Sequence, residues 1–539
     1  MPDSFVESKP WWSGAVVYQI WPRSFMDANG DGVGDLAGVI GRLDHLNDGS
    51  GGGLGVDAVW LSPFFASPMA DYGYDISDYR AVDSSFGDLS DVDRLIEEAS
   101  KRSLRVLLDL VPNHTSDQHE WFVDSRSSRH SPKRDWYTWR DGAEGGGPPN
   151  NWKSAFPGVG PAWTFDDRTG QYYLHSYTPS QPDLNWDNPA VRGAIKDVMR
   201  FWLDRGVSGF RIDVVHRLAK DPFLGDNPDD LVQPEPTGRG RRDADWTTID
   251  ARLIELREVA DEYPHALLVG EVYILDQTRL VDYLGPGKLH LAHNFVFLNQ
   301  PWSASALPDV IREFEHLAGG RVEGAWCLNN HDHSRVASRF GENGQAKARA
   351  AALLLMGLRG TVFIYQGEEL GMEDTHIPAE LITDIDGRDP VRTPIPWESP
   401  TQVGRGAGFT TGEPWLPIGE GADDRNVESE RRADASMLNL YTRLISTRRA
   451  SSALRHGGFR WLGRRDDLAA FARTHEAEEV LVVVNFGEDA IVLDDFLKEM
   501  GVTSAPSVVL GSSHAAPFDG LIRPFEALWI THEIPQKNS

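Results

Sequence analysis

The feature that most constrains the fold is a repeated order of strand and helix. Each of seven short apolar runs is continuous rather than alternating, which is typical of strands buried on both faces of a parallel sheet. Helical stretches separate many of them, and a weaker eighth run lies near 294–297. The order predicts an α/β fold, a (β/α)8 TIM barrel. The seven runs are 15–20, 58–61, 105–110, 209–214, 266–269, 324–328 and 361–365, and the clearest helical stretches are 89–100, 189–205, 247–263 and 346–358.

Two regions break this order. Residues 115–188 are rich in Gly, Pro, Trp and Asn and are too long for a simple loop, so we expect an inserted subdomain after the third strand. After about residue 450 short apolar runs alternate with turns, which favours a C-terminal antiparallel β-sandwich. The predicted domains are barrel 1–114, insertion 115–188, barrel 189–455 and sandwich 456–539.

Charge and cysteine content restrict the partners and the compartment. The formal net charge of −28 repels polyanions, so we expect neither nucleic acid nor a membrane as partner. Cys327 is the one cysteine and cannot form an internal disulfide, which is typical of a reducing compartment such as the cytoplasm. Residues 1–12 do not resemble a secretory signal, and no apolar run approaches the ~20 residues of a membrane-spanning helix.

Polar residues follow four of the predicted strands, in the segments 109–114, 209–216, 270–273 and 329–332. The carboxyl ends of barrel strands meet at one rim, so Asp213, Glu271 and Asp332 should converge there. Carboxylates that crowd together repel one another, and Arg211, two residues before Asp213 on the same side of an extended strand, could supply the compensating charge. Ordinary ion pairs at the barrel mouth are the alternative interpretation.

Paired carboxylates at one rim are typical of glycoside hydrolysis, in which one attacks the sugar and the other acts as general acid and then base. The sequence lacks H-E-x-x-H, G-x-x-x-x-G-K-[ST] and G-x-S-x-G. Metalloprotease, P-loop and α/β-hydrolase chemistry therefore lack their key residues.

The same segments, together with Gln181-Pro-Asp-Leu-Asn185, resemble the conserved regions of glycoside hydrolase family 13, the α-amylase family. Asp71-Tyr-Gly-Tyr-Asp75, Tyr365-Gln-Gly-Glu-Glu369 and Arg392-Thr-Pro-Ile-Pro-Trp397 extend the match. The Gln-Pro-Asp-Leu-Asn form is similar to the oligo-1,6-glucosidase and α-glucosidase branch.

The resemblance implies a role for each matching residue. Asp213 corresponds to the nucleophile, Glu271 to the acid/base, and Asp332 to the group that holds the sugar hydroxyls and stabilises the transition state. His114, Arg211 and His331 correspond to residues that line the sugar subsite, and Tyr74 to the aromatic that stacks on the ring. These types suit a sugar, which offers an apolar face and a rim of hydroxyls.

Two further assignments concern the ends of the site. Asp71 resembles the carboxylate that, with an arginine, closes the pocket behind a terminal glucose; Arg388 is the expected partner and Arg392 the alternative. Val214 follows the nucleophile, and in an extended strand it would turn aside and shape the path of the leaving group. In the resembled branch, valine here accompanies cleavage of α-1,6 bonds.

The loop 27–35 is a candidate metal site. Oxygen-bearing groups at alternate positions, with glycines between them, favour a hard cation, Ca²⁺ or Mg²⁺. The resembled enzymes carry the same loop as a structural metal site, but Gly38 stands where an EF-hand has its bidentate Glu. A metal-free Asx turn is the alternative. The expected ligands are Asp27, Asn29, Asp31, the Val33 carbonyl and Asp35.

Together these features predict a retaining, exo-acting α-glucosidase for short oligosaccharides with α-1,4 or α-1,6 bonds, with possible transfer of glucose to other hydroxyls. A first alternative is a sucrose isomerase or trehalose synthase of the same family. A second is a non-enzymatic binding module like the transporter heavy chains, which carry a membrane anchor.

Overall fold

The computed structural model describes residues 9–231, 240–502, 506–513 and 518–532. Its central sheet has eight parallel strands, hydrogen-bonded in the order β6-β5-β4-β3-β2-β1-β8-β7. A single bridge from His293 to Ala325 joins β6 to β7 and closes the barrel. The predicted (β/α)8 barrel is thus confirmed. The strands are β1 (Val16–Ile20), β2 (Ala58–Leu61), β3 (Arg105–Leu110), β4 (Gly209–Ile212), β5 (Leu267–Gly270), β6 (Leu291–Ala292), β7 (Gly324–Cys327) and β8 (Gly360–Tyr365).

The expected strand near 294–297 is wrong. That segment is the short helix Phe295–Leu298, and the strand is β6, a few residues earlier. The reason is local, because the Asn294 side chain accepts a hydrogen bond from the Phe297 N–H at 3.0 Å and caps the helix. β4 likewise ends at Ile212, before the expected end at residue 214.

Two of the long helices around the barrel begin at capping residues. Asp88 forms a capping box at the start of Leu89–Lys101, and Asn188 caps Pro189–Asp204, whose proline occupies the first turn. The four predicted helices are all present. The α-helices of the described residues are Leu36–Gly41, Leu43–Leu46, Leu89–Lys101, Glu120–Ser127, Pro189–Asp204, Ile249–Asp261, Gln277–Asp282, Phe295–Leu298, Ala306–Ala318, Val336–Arg339, Gly344–Gly357, Pro400–Val403, Val427–Arg432, Met437–Ala450, Ser452–His456 and Leu493–Glu499.

Two barrel strands begin at glycines that no other residue could replace without strain. Gly209 has φ +133° and Gly360 has φ +110°, conformations that L side chains rarely adopt. A Cβ at Gly209 would lie 2.0 Å from the Leu267 carbonyl oxygen, and one at Gly360 would lie 2.3 Å from the Gly324 carbonyl oxygen. These glycines therefore permit the close approach of β4 to β5 and of β8 to β7.

The segment between β3 and the helix Pro189–Asp204 contains its own small sheet. Trp139–Arg140 and Trp163–Asp166 pair antiparallel with Gln171–Leu174, which lies between them. An isolated antiparallel bridge from His114 to Asp183 ties this segment to the end of β3. The insertion therefore stands at the rim where the strands end. A separate two-stranded sheet pairs Phe65–Ala66 with Asp78–Val82.

The C-terminal part is an antiparallel β-structure, as predicted. One face of its five-stranded sheet packs on the barrel, where the Trp529 Nε1–H donates to the Leu353 carbonyl at 3.2 Å. The other face packs on the helix Leu493–Glu499. The strands of the larger sheet are Gly458–Arg465, Leu468–His475, Glu478–Asn485, Ala527–Thr531 and Ser507–Gly511, in that spatial order, and a second sheet pairs Ile491–Val492 with Leu521–Ile522.

None of the helices in the described ranges is both long and apolar enough to cross a membrane.

Candidate active site

A cavity of about 270 Å³ opens at the carboxyl ends of the barrel strands. Most of the site residues predicted from sequence line it, and Arg211 lies among them with only 1 % of its surface exposed. The structure therefore brings the predicted catalytic and sugar-binding residues together. The predicted residues in the lining are Asp71, Tyr74, His114, Asp213, Val214, Glu271, His331, Asp332 and Arg388.

Arg211 bridges three carboxylates on neighbouring strands. Its Nη1 donates to Asp213 Oδ1 at 2.7 Å and to Asp109 Oδ1 at 2.8 Å, and its Nη2 donates to Glu271 Oε2 at 2.7 Å. Glu271 also accepts the Val214 backbone N–H at 3.0 Å. One buried guanidinium thus orients both members of the predicted catalytic pair.

A single cation does not neutralise this cluster. Burial and the nearby Glu271 charge raise the pKa of Asp213, against the opposing effect of Arg211. Burial likewise raises the pKa of Asp109 to about 6, although Arg211 opposes the shift. Three carboxyl groups therefore compete for one guanidinium in a buried site, where each carboxylate disfavours the ionisation of its neighbours.

Asp332 lies in a different electrostatic environment. Its Oδ1 accepts from Arg392 Nη2 at 2.9 Å and from Arg388 Nη1 at 3.1 Å, and its Oδ2 lies 3.1 Å from His331 Nε2. Burial alone would raise the pKa of Asp332, but His331 and the two guanidinium groups hold it below its ordinary value. The surroundings of Asp332 therefore favour its carboxylate form.

Asp71 and Arg388 form the expected ion pair. Arg388 Nη2 lies 2.6 Å from Asp71 Oδ1, and Gln181 Nε2 donates to Asp71 Oδ2 at 2.9 Å. Both charged side chains are less than a tenth exposed. Arg388 is thus the arginine that meets Asp71, whereas the alternative, Arg392, contacts Asp332.

Tyr74 belongs to an aromatic wall. Its ring is parallel to that of His331 within 6°, at a centroid distance of 5.4 Å, and Trp21 stacks on His331 at 5.1 Å. The Tyr74 hydroxyl donates to Asp109 Oδ2 at 3.0 Å and lies 2.7 Å from His331 Nε2. The ring is therefore held rigidly where it can pack on a flat apolar surface.

The chain is similar to a known protein family over most of its length. The family described as "Alpha amylase, catalytic domain" matches residues 19–457, which include every residue of the cavity lining. The chain belongs to the alpha-amylase family.

Individual members of the alpha-amylase family match almost end to end. A probable alpha-glucosidase of Rhizobium meliloti is 42 % identical over 89 % of this chain and 90 % of its own length. An oligo-1,6-glucosidase of Heyndrickxia coagulans is 37 % identical over 96 % of this chain and 98 % of its own. The crystal structure of the isomaltulose synthase SmuA from Protaminobacter rubrum has a TM-score of 0.87 and 33 % identity, covering 98 % of this chain and all of that one. These relatives support the predicted oligo-1,6-glucosidase branch of the alpha-amylase family.

Val214 lines the cavity, but its expected extended conformation is wrong. Its backbone is left-handed, with φ +36° and ψ +44°, which is costly for a β-branched residue. The Val214 N–H bond to Glu271 lies at this turn, where β4 has already ended. Val214 therefore contributes a backbone donor as well as an apolar side chain to this alpha-amylase family site.

Sequence reasoning did not assign several residues that line or support the cavity. Phe156 and Tyr177 reach it from the insertion, and their rings lie 5.0 Å from the Arg388 guanidinium and 5.5 Å from that of Arg217. Asp384 Oδ1 lies 2.6 Å from Arg388 Nη2 and forms an ion pair that holds this guanidinium in place. The aromatic-rich composition of the insertion was the available indication for the two rings, whereas Asp384 stands in a loop without any periodic pattern.

The candidate metal loop packs beside the segment 409–414, outside the cavity lining. Asp27 Oδ1 accepts the Asn29 N–H at 2.9 Å, and Asn29 and Asp31 accept the N–H groups two residues further on, also at 2.9 Å. Asp35 caps the helix Leu36–Gly41. These successive Asx turns hold the loop closed through its own backbone.

The donor set of this loop can still serve a hard cation. Asn29 Oδ1 and Asp31 Oδ1 each accept one backbone hydrogen bond and keep a second lone pair, and the Val33 carbonyl adds a neutral oxygen. Both carboxylate oxygens of Asp27 already accept two hydrogen bonds each, so a cation would have to displace some of these. Across the described residues, no group of three or more His, Cys, Asp or Glu side chains could hold a metal ion by itself. A cation here would therefore need these neutral oxygens as ligands.

Proposed function

We propose that the chain is a retaining α-glucosidase that removes terminal glucose from short oligosaccharides. The observation that carries the proposal is the pair Asp213 and Glu271, held on one arginine in a cavity that the Asp71–Arg388 ion pair borders. The names of the similar proteins, a probable alpha-glucosidase and an oligo-1,6-glucosidase, agree with it.

The first half of the reaction uses both carboxyl groups. Asp213 attacks the anomeric carbon while Glu271 gives its proton to the glycosidic oxygen, so the bond to the leaving sugar breaks as an ester to Asp213 forms. Arg211 stabilises the ionised Asp213, and the Asp332 carboxylate offers negative charge to the oxocarbenium-like transition state.

The second half reverses the roles. Glu271, now a carboxylate, takes a proton from water, and the water oxygen displaces Asp213 from the anomeric carbon. Two inversions leave the configuration unchanged. An acceptor hydroxyl in place of water would give transglucosylation by the same steps.

We infer exo-action from the Asp71–Arg388 ion pair, which would close the cavity behind a terminal glucose. Asp71 is anchored by Arg388 and Gln181, so its oxygens can accept hydrogen bonds from the hydroxyls of a terminal glucose and leave no path for a longer chain. Long starch should therefore be a poor substrate.

The deciding experiment is product analysis with maltose, isomaltose, sucrose and trehalose. Hydrolysis should release free glucose as the α-anomer, which nuclear magnetic resonance detects before mutarotation. The second candidate is an isomerase, favoured by the structural similarity to an isomaltulose synthase. Conversion of sucrose to an isomer with little free glucose would decide for that candidate. If none of these glucosides reacts, the remaining interpretation is a non-enzymatic binding module.

Two further proposals concern the surroundings of the site. The loop 27–35 binds Ca²⁺ or Mg²⁺ through Asp27, Asn29, Asp31, the Val33 carbonyl and Asp35, supported by the alternate spacing of its oxygens. The enzyme acts in the cytoplasm on neutral oligosaccharides, supported by the single buried cysteine, Cys327, and by the acidic net charge.

A further inference from the structure

The loop after β8 carries three charged residues at a spacing of four, Asp384, Arg388 and Arg392. Arg388 lines the cavity, whereas Arg392 lies behind it with its side chain fully buried. A buried guanidinium requires partners for its donors, and the partners of Arg392 indicate what it does.

Each nitrogen of the Arg392 guanidinium has an acceptor. Nη2 donates to Asp332 Oδ1 at 2.9 Å, Nε to the His331 carbonyl at 2.9 Å, and Nη1 to Asp384 Oδ1 at 3.3 Å. Its plane also packs on Trp21, 4.5 Å from the ring centroid. Arg392 is therefore fixed in position from four sides.

The second arginine at Asp332 is less committed to it. Arg388 contacts Asp332 at 3.1 Å but also forms 2.6 Å ion pairs with Asp71 and Asp384. Because Arg388 borders the cavity, its contacts can change when a sugar enters. Arg392 is absent from the residues that line the cavity, so its bond to Asp332 can persist throughout the reaction.

We propose that Arg392 is the positioning residue of Asp332. By holding Oδ1 from behind, it directs Oδ2 toward the sugar hydroxyls, and Asp384 completes the arrangement by pairing with both arginines. The inference rests on the proposed function, in which Asp332 grips those hydroxyls in the transition state. Arg392 itself touches no substrate.

The geometry has an electrostatic consequence. The two guanidinium groups and His331 keep the pKa of Asp332 low although the site is buried. A neutral residue at position 392 leaves Arg388 shared among Asp71, Asp332 and Asp384, so Asp332 loses both its fixed orientation and half of its cationic support.

The test measures how strongly catalysis depends on a sugar hydroxyl. kcat and KM are determined for p-nitrophenyl α-glucoside and its 2-deoxy analogue, with wild type, Arg392→Gln and Arg392→Lys. We expect Arg392→Gln to lower kcat on the glucoside by about 100-fold, the size seen when one partner of a buried charge pair is truncated, with a much smaller change in KM. Lysine should restore part of the loss.

The decisive quantity is the ratio of kcat/KM between the two substrates. In wild type the missing hydroxyl should be costly, because hydrogen bonds to the 2-hydroxyl strengthen in the transition state. In Arg392→Gln the cost should fall by about tenfold, because Asp332 no longer holds that hydroxyl well. A role in folding alone would leave the ratio unchanged.

Arg448→Gln is the matched control. Arg448 is 1 % exposed and donates to the backbone carbonyls of Gly14, Met356, Leu358 and Gly360, far from the carboxylates of the site. This variant should lower Tm and keep the wild-type substrate ratio.

The outcomes separate the inference from the proposed function. Wild type that does not hydrolyse the glucoside overturns the proposed function and the inference together. An active wild type with an Arg392→Gln ratio like that of Arg448→Gln overturns the inference alone. If Arg392→Gln does not fold, Arg392→Lys and Asp384→Asn carry the same comparison, and an unchanged ratio in both counts against the inference.

Discussion

The active site contains two clusters of three carboxylates, its strand-end half and its loop half, which are paired with different numbers of arginines. At the strand ends, Asp109, Asp213 and Glu271 share one guanidinium, that of Arg211. In the loop half, the guanidinium groups of Arg388 and Arg392 form ion pairs with three carboxylates, those of Asp71, Asp332 and Asp384.

The two halves also differ in the pKa shifts of their carboxyl groups. With one cation, burial wins and the pKa values of Asp109 and Asp213 rise. In the loop half the pKa values of Asp332 and Asp384 fall, because His331 and the two arginines outweigh burial at Asp332 and the arginines do so at Asp384. Burial, by contrast, raises the pKa of Asp386 in the same cavity. The strand-end half is therefore short of positive charge, whereas Asp332 and Asp384 in the loop half are held as carboxylates that can accept hydrogen bonds from hydroxyls.

The largest expected effect breaks the strand-end half. Asp213→Asn removes the nucleophile with almost no change in volume, and kcat should fall by roughly 10⁴-fold or more. Steady-state kinetics on p-nitrophenyl α-glucoside measures the loss, while circular dichroism and Tm should show an intact fold. Turnover near that of wild type would mean that Asp213 is not the nucleophile.

The second prediction breaks the loop half. Asp71→Ala leaves Arg388 with one partner fewer in a confined site. The activation free energy calculated from kcat/KM for maltose should therefore rise by about 3–5 kcal/mol relative to wild type. Asp78→Ala, which removes an exposed carboxylate nearby, is the control and should retain wild-type kcat/KM. Release of maltotriose or longer products from amylose by wild type would contradict the closed end that this pair forms.

The third prediction sharpens the strand-end half at its leaving-group side. Val214→Thr keeps β-branching, and hence the same backbone cost, but places a hydroxyl in the cavity. The ratio of kcat/KM for isomaltose to kcat/KM for maltose should change by the equivalent of roughly 1–3 kcal/mol. Wild type that ignores isomaltose, or an unmoved ratio in the variant, would refute the link between Val214 and α-1,6 cleavage.

The fourth prediction has the smallest expected effect on activity, because the metal loop belongs to neither half. A cation bound only by the folded state stabilises by mass action, so EDTA should lower Tm much more than the initial rate. Asp31→Ala should abolish the effect of EDTA on Tm, since Asp31 is a proposed ligand outside the cavity. Equal Tm with and without EDTA, and no bound metal by elemental analysis, would refute the site.

The strand-end half could be predicted because sequence and geometry coincide there. A continuous apolar run identifies a buried strand, and the polar residue after it must lie at the rim, as Asp213 and Glu271 do. The backbone of Val214 could not be predicted this way, since a turn stabilised by tertiary contacts replaces the strand after Ile212.

The loop half was less predictable. Asp332 follows a strand and was assigned, but the choice between Arg388 and Arg392 stayed open and Asp384 was missed. Loop residues obey no period, so their contacts depend on how the whole segment folds over the barrel. The same limit applies to β6, which at two residues is too short to show as an apolar run.

The shortness of β6 also affects how the barrel moves. The other neighbouring strands of the barrel form continuous ladders, whereas β6 and β7 are joined by one isolated bridge. At this junction the rings of Phe297 and Phe314 pack on Trp326. Side-chain packing yields more readily than a ladder of backbone hydrogen bonds. Amide hydrogen exchange should therefore be fastest, among the barrel strands, at the junction of β6 and β7, which lies between the segments that carry Glu271 and Asp332.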